Sequence, residues 1–260
     1  VAKATASDVV VFLGPTLARA QAAELLDAIY LPPADQGAVV RAVRSHQPRA
    51  IVLIDGSFGK VPAVRHKEIL WAIGKRINVF GAASMGALRA AELAPFGMQG
   101  HGFIHRWYSL TPLADDDEVA VAMSPVELGA APLSEALINM RLTFRRAERC
   151  GILTRKQRRM LEALARDTHF VDRGYPRLLS DAGSALSGRW GAIVEALREW
   201  LPTNAVDKKR DDAIGLLKQL AQRPDLRLTQ HPRTFPFRLT EAWAYDLEDA
   251  GLWGDDILSA

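Results

Sequence analysis

Cysteine is almost absent: Cys150 is the one thiol in 260 residues. That excludes an intrachain disulfide and a cysteine-rich zinc site, and it fits a reducing compartment. Also missing is any apolar run near the ~18 residues that cross a bilayer. The opening stretch, VAKATASDVVVFLGP, has no basic region ahead of a long apolar core and cleavage site. The expectation is therefore a cytoplasmic protein without a secretory leader. There is no P-loop and no full dinucleotide glycine fingerprint, so nucleotide binding has no direct support and neither cofactor nor metal is expected. Internal repeats and low-complexity tracts are absent too.

What is present is an ordinary globular composition, 48% hydrophobic and 24% charged, sufficient for one large core or two smaller ones. The net charge is only +3, but it is unevenly placed: Arg141 to Arg177 holds eleven Arg and Lys residues against four acids. Such a face suits an acidic protein, an acidic peptide or nucleic acid. A solvated helix surface is the plainer alternative and is preferred to a nucleic-acid site. Arg145, Arg149 and Arg158 are the residues chosen for partner binding.

From about residue 8 to 125, short apolar runs alternate with helical patterns. Val9–Leu13, Ile29–Leu31, Ile51–Ile54 and Ile77–Phe80 read as strands, and Gly102–Tyr108 as a further one. Leu17–Asp27, Gly37–Ser45, a segment after Pro62 and a segment ending near Leu93 read as helices. Unbroken apolar strands joined through helices imply parallel pairing with both sheet faces covered. The expected fold is thus α/β, Rossmann-like or flavodoxin-like, over residues 1–125. A helical region follows over 126–260, with a capping box at Thr154-x-x-Gln157, further helices around Trp190–Leu201, Ile214–Ala221 and Thr240–Ala250, and a loop over Pro224–Arg238.

Sites in parallel α/β sheets form where the strands end. Those ends carry Gly14-Pro15-Thr16, Asp55-Gly56-Ser57, the small-residue turn Gly81–Gly86 with Ser84, and Tyr108 near Asp115–Asp117. Ser84, between a strand and a helix, is expected to be exposed, with the Met85 N–H and Gly86 beside it. It reads as a nucleophile with an oxyanion hole, as an anion-binding hydroxyl, or as a packing residue. A nucleophilic serine needs a base. His66, on an apolar stripe and expected to point inward, is one candidate, although a hydrogen-bonded core histidine fits equally. Lys67 is the other, as base or anion clamp. Asp55 either orients such a base or caps a turn. Arg89 either curls back to a substrate carboxylate or pairs with Glu92. Asp115–Asp117 with Glu118 could hold Mg²⁺, but adjacent aspartates point different ways and a solvated loop is the favoured reading.

Several stretches together resemble one family. They are Gly14-Pro15-Thr16-Leu17, Tyr30-Leu31-Pro32-Pro33-Ala34, Ile54-Asp55-Gly56-x-Phe58, His66-Lys67-Glu68-Ile69-Leu70, Gly81-Ala82-Ala83-Ser84-Met85-Gly86-Ala87-Leu88-Arg89-Ala90 and Asp116-Asp117-Glu118-Val119-Ala120. They resemble the TfuA-like family over roughly Val9–Met123. The resemblance implies a partner of YcaO enzymes in converting peptide backbone amides to thioamides. It further implies sulfur supply, by hydrolysing the C-terminal thiocarboxylate of a ThiS-like carrier protein. On that reading Ser84, His66, Lys67 and Asp55 are catalytic candidates. Gly14, Thr16, Gly56, Met85, Gly86, Arg89 and Tyr108 would bind substrate. The alternative is a non-catalytic adaptor that docks the carrier or a precursor peptide onto YcaO.

Overall fold

The computed structural model describes residues 8–59, 61–111, 115–185, 190–228 and 235–257. Its centre is a parallel sheet of five strands: β1 (Val9–Phe12), β2 (Ile29–Leu31), β3 (Ala50–Leu53), β4 (Asn78–Ala82) and β5 (Gln99–His101), in the order β2-β1-β3-β4-β5. The three inner strands are buried along their whole length. This is why their sequences run apolar without alternation. In this order the crossover direction reverses between β1 and β3, so their carboxyl ends flank the crevice where such sheets bind ligands.

The connecting helices are α1 (Arg19–Leu25), α2 (Ala38–His46), α3 (His66–Gly74), α4 (Met85–Leu93) and α5 (Gly102–Leu110). Gly102–Tyr108 is therefore a helix rather than the expected strand. Gly102 stands at φ +92, a left-handed conformation that ends β5. The Asp212 carboxylate then accepts the Ile104 N–H at 2.8 Å and caps the new helix. Tyr108 is consequently a buried residue in the last turns of α5, not one at a strand end.

The remaining helices are α6 (Leu137–Arg149), α7 (Arg155–Asp167), α8 (Tyr175–Ala185), α9 (Trp190–Asn204), α10 (Lys208–Gln222), α11 (Pro224–Leu228) and α12 (Glu241–Asp249). The loop expected over Pro224–Arg238 thus begins with α11, and residues 229–234 lie outside the described residues. Two compact units emerge, Val1–Leu113 with Arg210–Ala260, and Ala114–Lys209. This differs from a division at 125/126, because the chain rejoins the first unit at Arg210 and α10 packs on the sheet. Ala213, Leu216, Leu217 and Leu220 of α10 share one apolar cluster with Val9, Val11, Val52, Ile54 and Phe80. The helical unit has its own core, built from Leu137, Met140, Phe144, Leu161, Leu178 and Leu197 among others.

Acidic side chains hold the ends of several elements. Glu68, fully buried in α3, accepts the N–H groups of Gly37 and Val39 at 3.0 Å each and that of Arg65 at 2.8 Å. One carboxyl thereby serves the first turns of both α2 and α3. In the helical unit, the run starting at Asp115 is held in ion pairs rather than left as a solvated loop. Asp115 pairs with Arg166, Asp117 with the buried Arg173, and Glu118 with Arg141 through both oxygens. Among the described residues no cluster of His, Cys, Asp or Glu could hold a metal ion. No described helix is long and apolar enough to cross a membrane.

Burial pushes the Glu68 carboxyl up from 4.5 to about 7, against its three N–H donors. The native state therefore holds this proton more tightly than the unfolded chain. The stabilisation from Glu68 should be complete below pH 4.5 and be lost as pH rises through about 7. Urea unfolding of wild type and Glu68→Gln at a series of pH values should show the wild-type advantage shrinking over that interval. A pH-independent difference would disprove the assignment.

Candidate functional site

The carboxyl edge of the sheet brings together most of the residues singled out in the sequence, but in different roles. Asp55 follows β3 and is 1% exposed. One of its oxygens accepts the Gly14 N–H at 2.9 Å and the Thr16 N–H at 3.1 Å, and the other accepts the Thr16 hydroxyl at 2.6 Å. Asp55 therefore caps the loop after β1 and orients neither His66 nor Lys67. Gly14 and Thr16, expected to bind substrate, donate to the protein's own carboxylate. The amides that would meet an anion at the switch point are already occupied.

Ser84 lies between β4 and α4 as expected, but it is closed rather than open. It is 1% exposed, and its hydroxyl caps no helix amide and bonds to no described residue. The left-handed residue of the turn is Ala83 at φ +67, with Ser84 following at φ −111. The small residues are explained by close packing. A Cβ on Gly86 would stand 1.8 Å from the Leu53 carbonyl oxygen, and one on Gly81 would stand 2.1 Å from that of Gly86. The Gly86 N–H is donated to the Ile54 carbonyl at 3.2 Å, which seats the first turn of α4 on the end of β3. Gly56 makes room for the Met85 side chain, whose Cγ would lie 2.7 Å from an added Cβ. The Met85 N–H has no backbone acceptor among the described residues.

His66 does not point into the core. As the first residue of α3 it projects back past the helix start, and its side chain is 46% exposed. Its Nε2 lies 2.7 Å from Glu92 and 3.3 Å from the Arg89 guanidinium, which itself donates to Glu92 at 2.7 Å. Arg89 thus turns to Glu92 rather than back to the turn. Burial pushes the Glu92 carboxyl up, but the hydrogen bonds and charges of His66 and Arg89 outweigh it and hold it below its usual range. The Arg89 Nε is buried and has no hydrogen-bond partner among the described residues. Lys67 donates to the Arg238 carbonyl at 2.9 Å and lies 5.6 Å from the centre of the Phe237 ring. It is a strap to the C-terminal segment, not a base beside Ser84. A separate cleft of 320 Å³, between the ends of β1 and β2 and α2, is lined by Phe12, Pro32, Arg41 and His46 and takes in none of the predicted site residues.

The basic stretch of the helical unit divides in two. Arg158 pairs with Glu148 at 2.5 Å and with Glu162 at 2.6 Å, so it is not the free partner-binding group expected. Arg145 and Arg149 are exposed and make no ion pair among the described residues. Sequence reasoning missed Glu68 and Asp212 as caps and gave Glu92 no role with His66. Glu92 carried a local signal, three residues from Arg89 on one helix. Asp212 carried none, since it meets Ile104 across 108 positions.

Strand order and a crevice closed from within define an α/β protein of the doubly wound, flavodoxin-like class. Residues 55–174 match the protein-family model described as TfuA-like protein, and to that extent this span is similar to the family. The match begins at Asp55, covers the Ser84 turn and His66, and runs on into the helical unit. That family is associated with YcaO partners and with backbone thioamidation. No curated protein matches the chain.

Asp55→Ala should leave the Gly14 and Thr16 amides without an acceptor and cost about 3 kcal/mol in urea unfolding. Added formate or acetate should restore part of that loss by filling the vacated seat. A variant as stable as wild type would remove Asp55 from its role.

Proposed function

We propose that this chain serves sulfur supply for YcaO-dependent thioamidation of a ribosomally made peptide. In this reading it is an adaptor that docks a ThiS-like sulfur carrier, or the precursor peptide, onto the YcaO enzyme. The observation that carries it is the burial of Ser84. Acyl transfer needs a nucleophile that reaches its substrate and a base that reaches the nucleophile. Among the described residues neither a proton acceptor nor a cation is hydrogen-bonded to the Ser84 hydroxyl. The amides of Gly14 and Thr16 are spent on Asp55. Docking asks only for a surface, and the family context supplies the partner class.

One observation favours a second reading, hydrolysis of the carrier's thiocarboxylate. His66 is half exposed, hydrogen-bonded to a carboxylate and next to a guanidinium. A histidine held by a carboxylate can act as general base on water, and Arg89 offers a charge to a thiocarboxylate. Water would add to the acyl carbon as His66 takes its proton. The carbon–sulfur bond would then break, and His66 would return the proton to the departing sulfur. The products are the carrier's carboxylic acid and hydrosulfide.

Incubating the purified protein with thiocarboxylated carrier, without YcaO, and weighing the carrier by mass spectrometry separates the two. The adaptor reading expects no conversion, with thioamide forming only when YcaO is added. Conversion that His66→Gln abolishes and Ser84→Ala leaves within a few-fold would establish the hydrolase. Conversion that Ser84→Ala abolishes would return the serine to the centre of the chemistry.

A further inference from the structure

The eleven cations between Arg141 and Arg177 are sorted by position. Those along the body of the helical unit are neutralised: Arg141 by Glu118, Arg158 by Glu148 and Glu162, Arg166 by Asp115, Arg173 by Asp117, and Arg177 by Asp172 and Asp181. The other six are Arg145, Arg146 and Arg149 at the end of α6, and Arg155, Lys156 and Arg159 at the start of α7. All six are exposed, and none has an ion pair among the described residues. The helices are joined by residues 150–154, so each trio lies within about 6 Å of axial rise of that turn. Arg158 bridges Glu148 of α6 to α7 just below it and so fixes the two ends together. It also draws inward both of the acids that could have screened the tip.

We propose that this helical tip is a docking site for an acidic polypeptide segment of a partner protein. Five of the six cations are guanidinium groups, whose planar forks match carboxylates two bonds at a time. Their spacing along α6 and α7 repeats at three and four residues, the spacing at which an acidic helix or strand can meet successive cations. A nucleic acid fits less well. Duplex binding needs a basic surface that runs along the phosphates, and here the cations flanking the tip are consumed by carboxylates. Single strands need exposed rings for the bases to stack on, and no aromatic residue lies within Arg145–Arg159. The proposal concerns the helical unit alone and stands whether the chain is an adaptor or a hydrolase.

Cys150, exposed in the turn between the two trios, provides a built-in reporter. The test uses the full chain, a fluorescein-labelled glutamate-rich peptide, the same peptide with glutamine at those positions, and a single-stranded and a duplex DNA of matched length. Anisotropy across a salt series should show binding of the glutamate peptide that weakens with salt, and no binding of the glutamine peptide. The combined Arg145→Glu, Arg149→Glu and Arg159→Glu variant should lose at least about tenfold in affinity. Lys218→Glu, an exposed change on α10, should lose none. Bound peptide should also slow alkylation of Cys150 by iodoacetamide, an uncharged reagent. Equal affinity of the triple variant, equal binding of the two peptides, or an unchanged alkylation rate would overturn the proposal. Tighter binding of either DNA at the same salt would replace it with a nucleic-acid surface. Circular dichroism and melting of the triple variant establish that any loss is not unfolding.

Discussion

A single carboxylate organises the functional edge of the sheet. Asp55 gathers the amides and hydroxyl of the loop after β1 onto the end of β3. It does so at the point where a doubly wound sheet would otherwise present those amides to a ligand. One buried and one part-buried N–H without an acceptor cost about 3 kcal/mol together, so this carboxylate sets how the crevice closes. The neighbouring turn follows the same logic: α4 lies so near β3 that only glycine fits at position 86. Glu68 repeats the device one layer away, serving two helix starts with one side chain. This part of the chain satisfies its backbone with its own acids.

Much of the fold was legible in the sequence. The inner strands announced themselves as short apolar runs, because burial on both faces leaves no reason for alternation. The Thr154 capping box formed as written, since it needs only residues three apart. What failed to show were relations across long stretches of chain. Gly102 ends β5 and Asp212 starts α5, and only the first is visible locally. The apolar face of α10 read correctly as helical, but an apolar stripe does not say which core it will join.

The site was legible in position and not in state. Small residues between a strand and a helix permit a ligand to approach the backbone, and they equally permit another strand to do so. Here Leu53 takes that room. His66 fell on the hydrophobic spacing of its helix, yet a first-turn residue leans away from the body of the helix and met Glu92. The charge count over Arg141–Arg177 stopped short of Asp115, Asp117 and Glu118, which are the counter-ions of three of those arginines. Once those are assigned, the excess positive charge shrinks from a broad face to the tip where α6 meets α7.

The return of the chain to the sheet after Lys209 affects how this protein emerges from a ribosome. The sheet is complete once His101 has been made, but Ala213, Leu216, Leu217 and Leu220 belong to its apolar cover. Until they are translated, the part of that face that α1 does not cover stays open while Ala114–Lys209 is synthesised. At translation speeds of about 5–20 residues per second this delay lasts several seconds. Throughout it, a wet hydrophobic surface is open to chaperones and to neighbouring nascent chains. Nascent chains arrested before Ala213 should therefore be the ones that cling to such helpers, and those released after Leu220 should not.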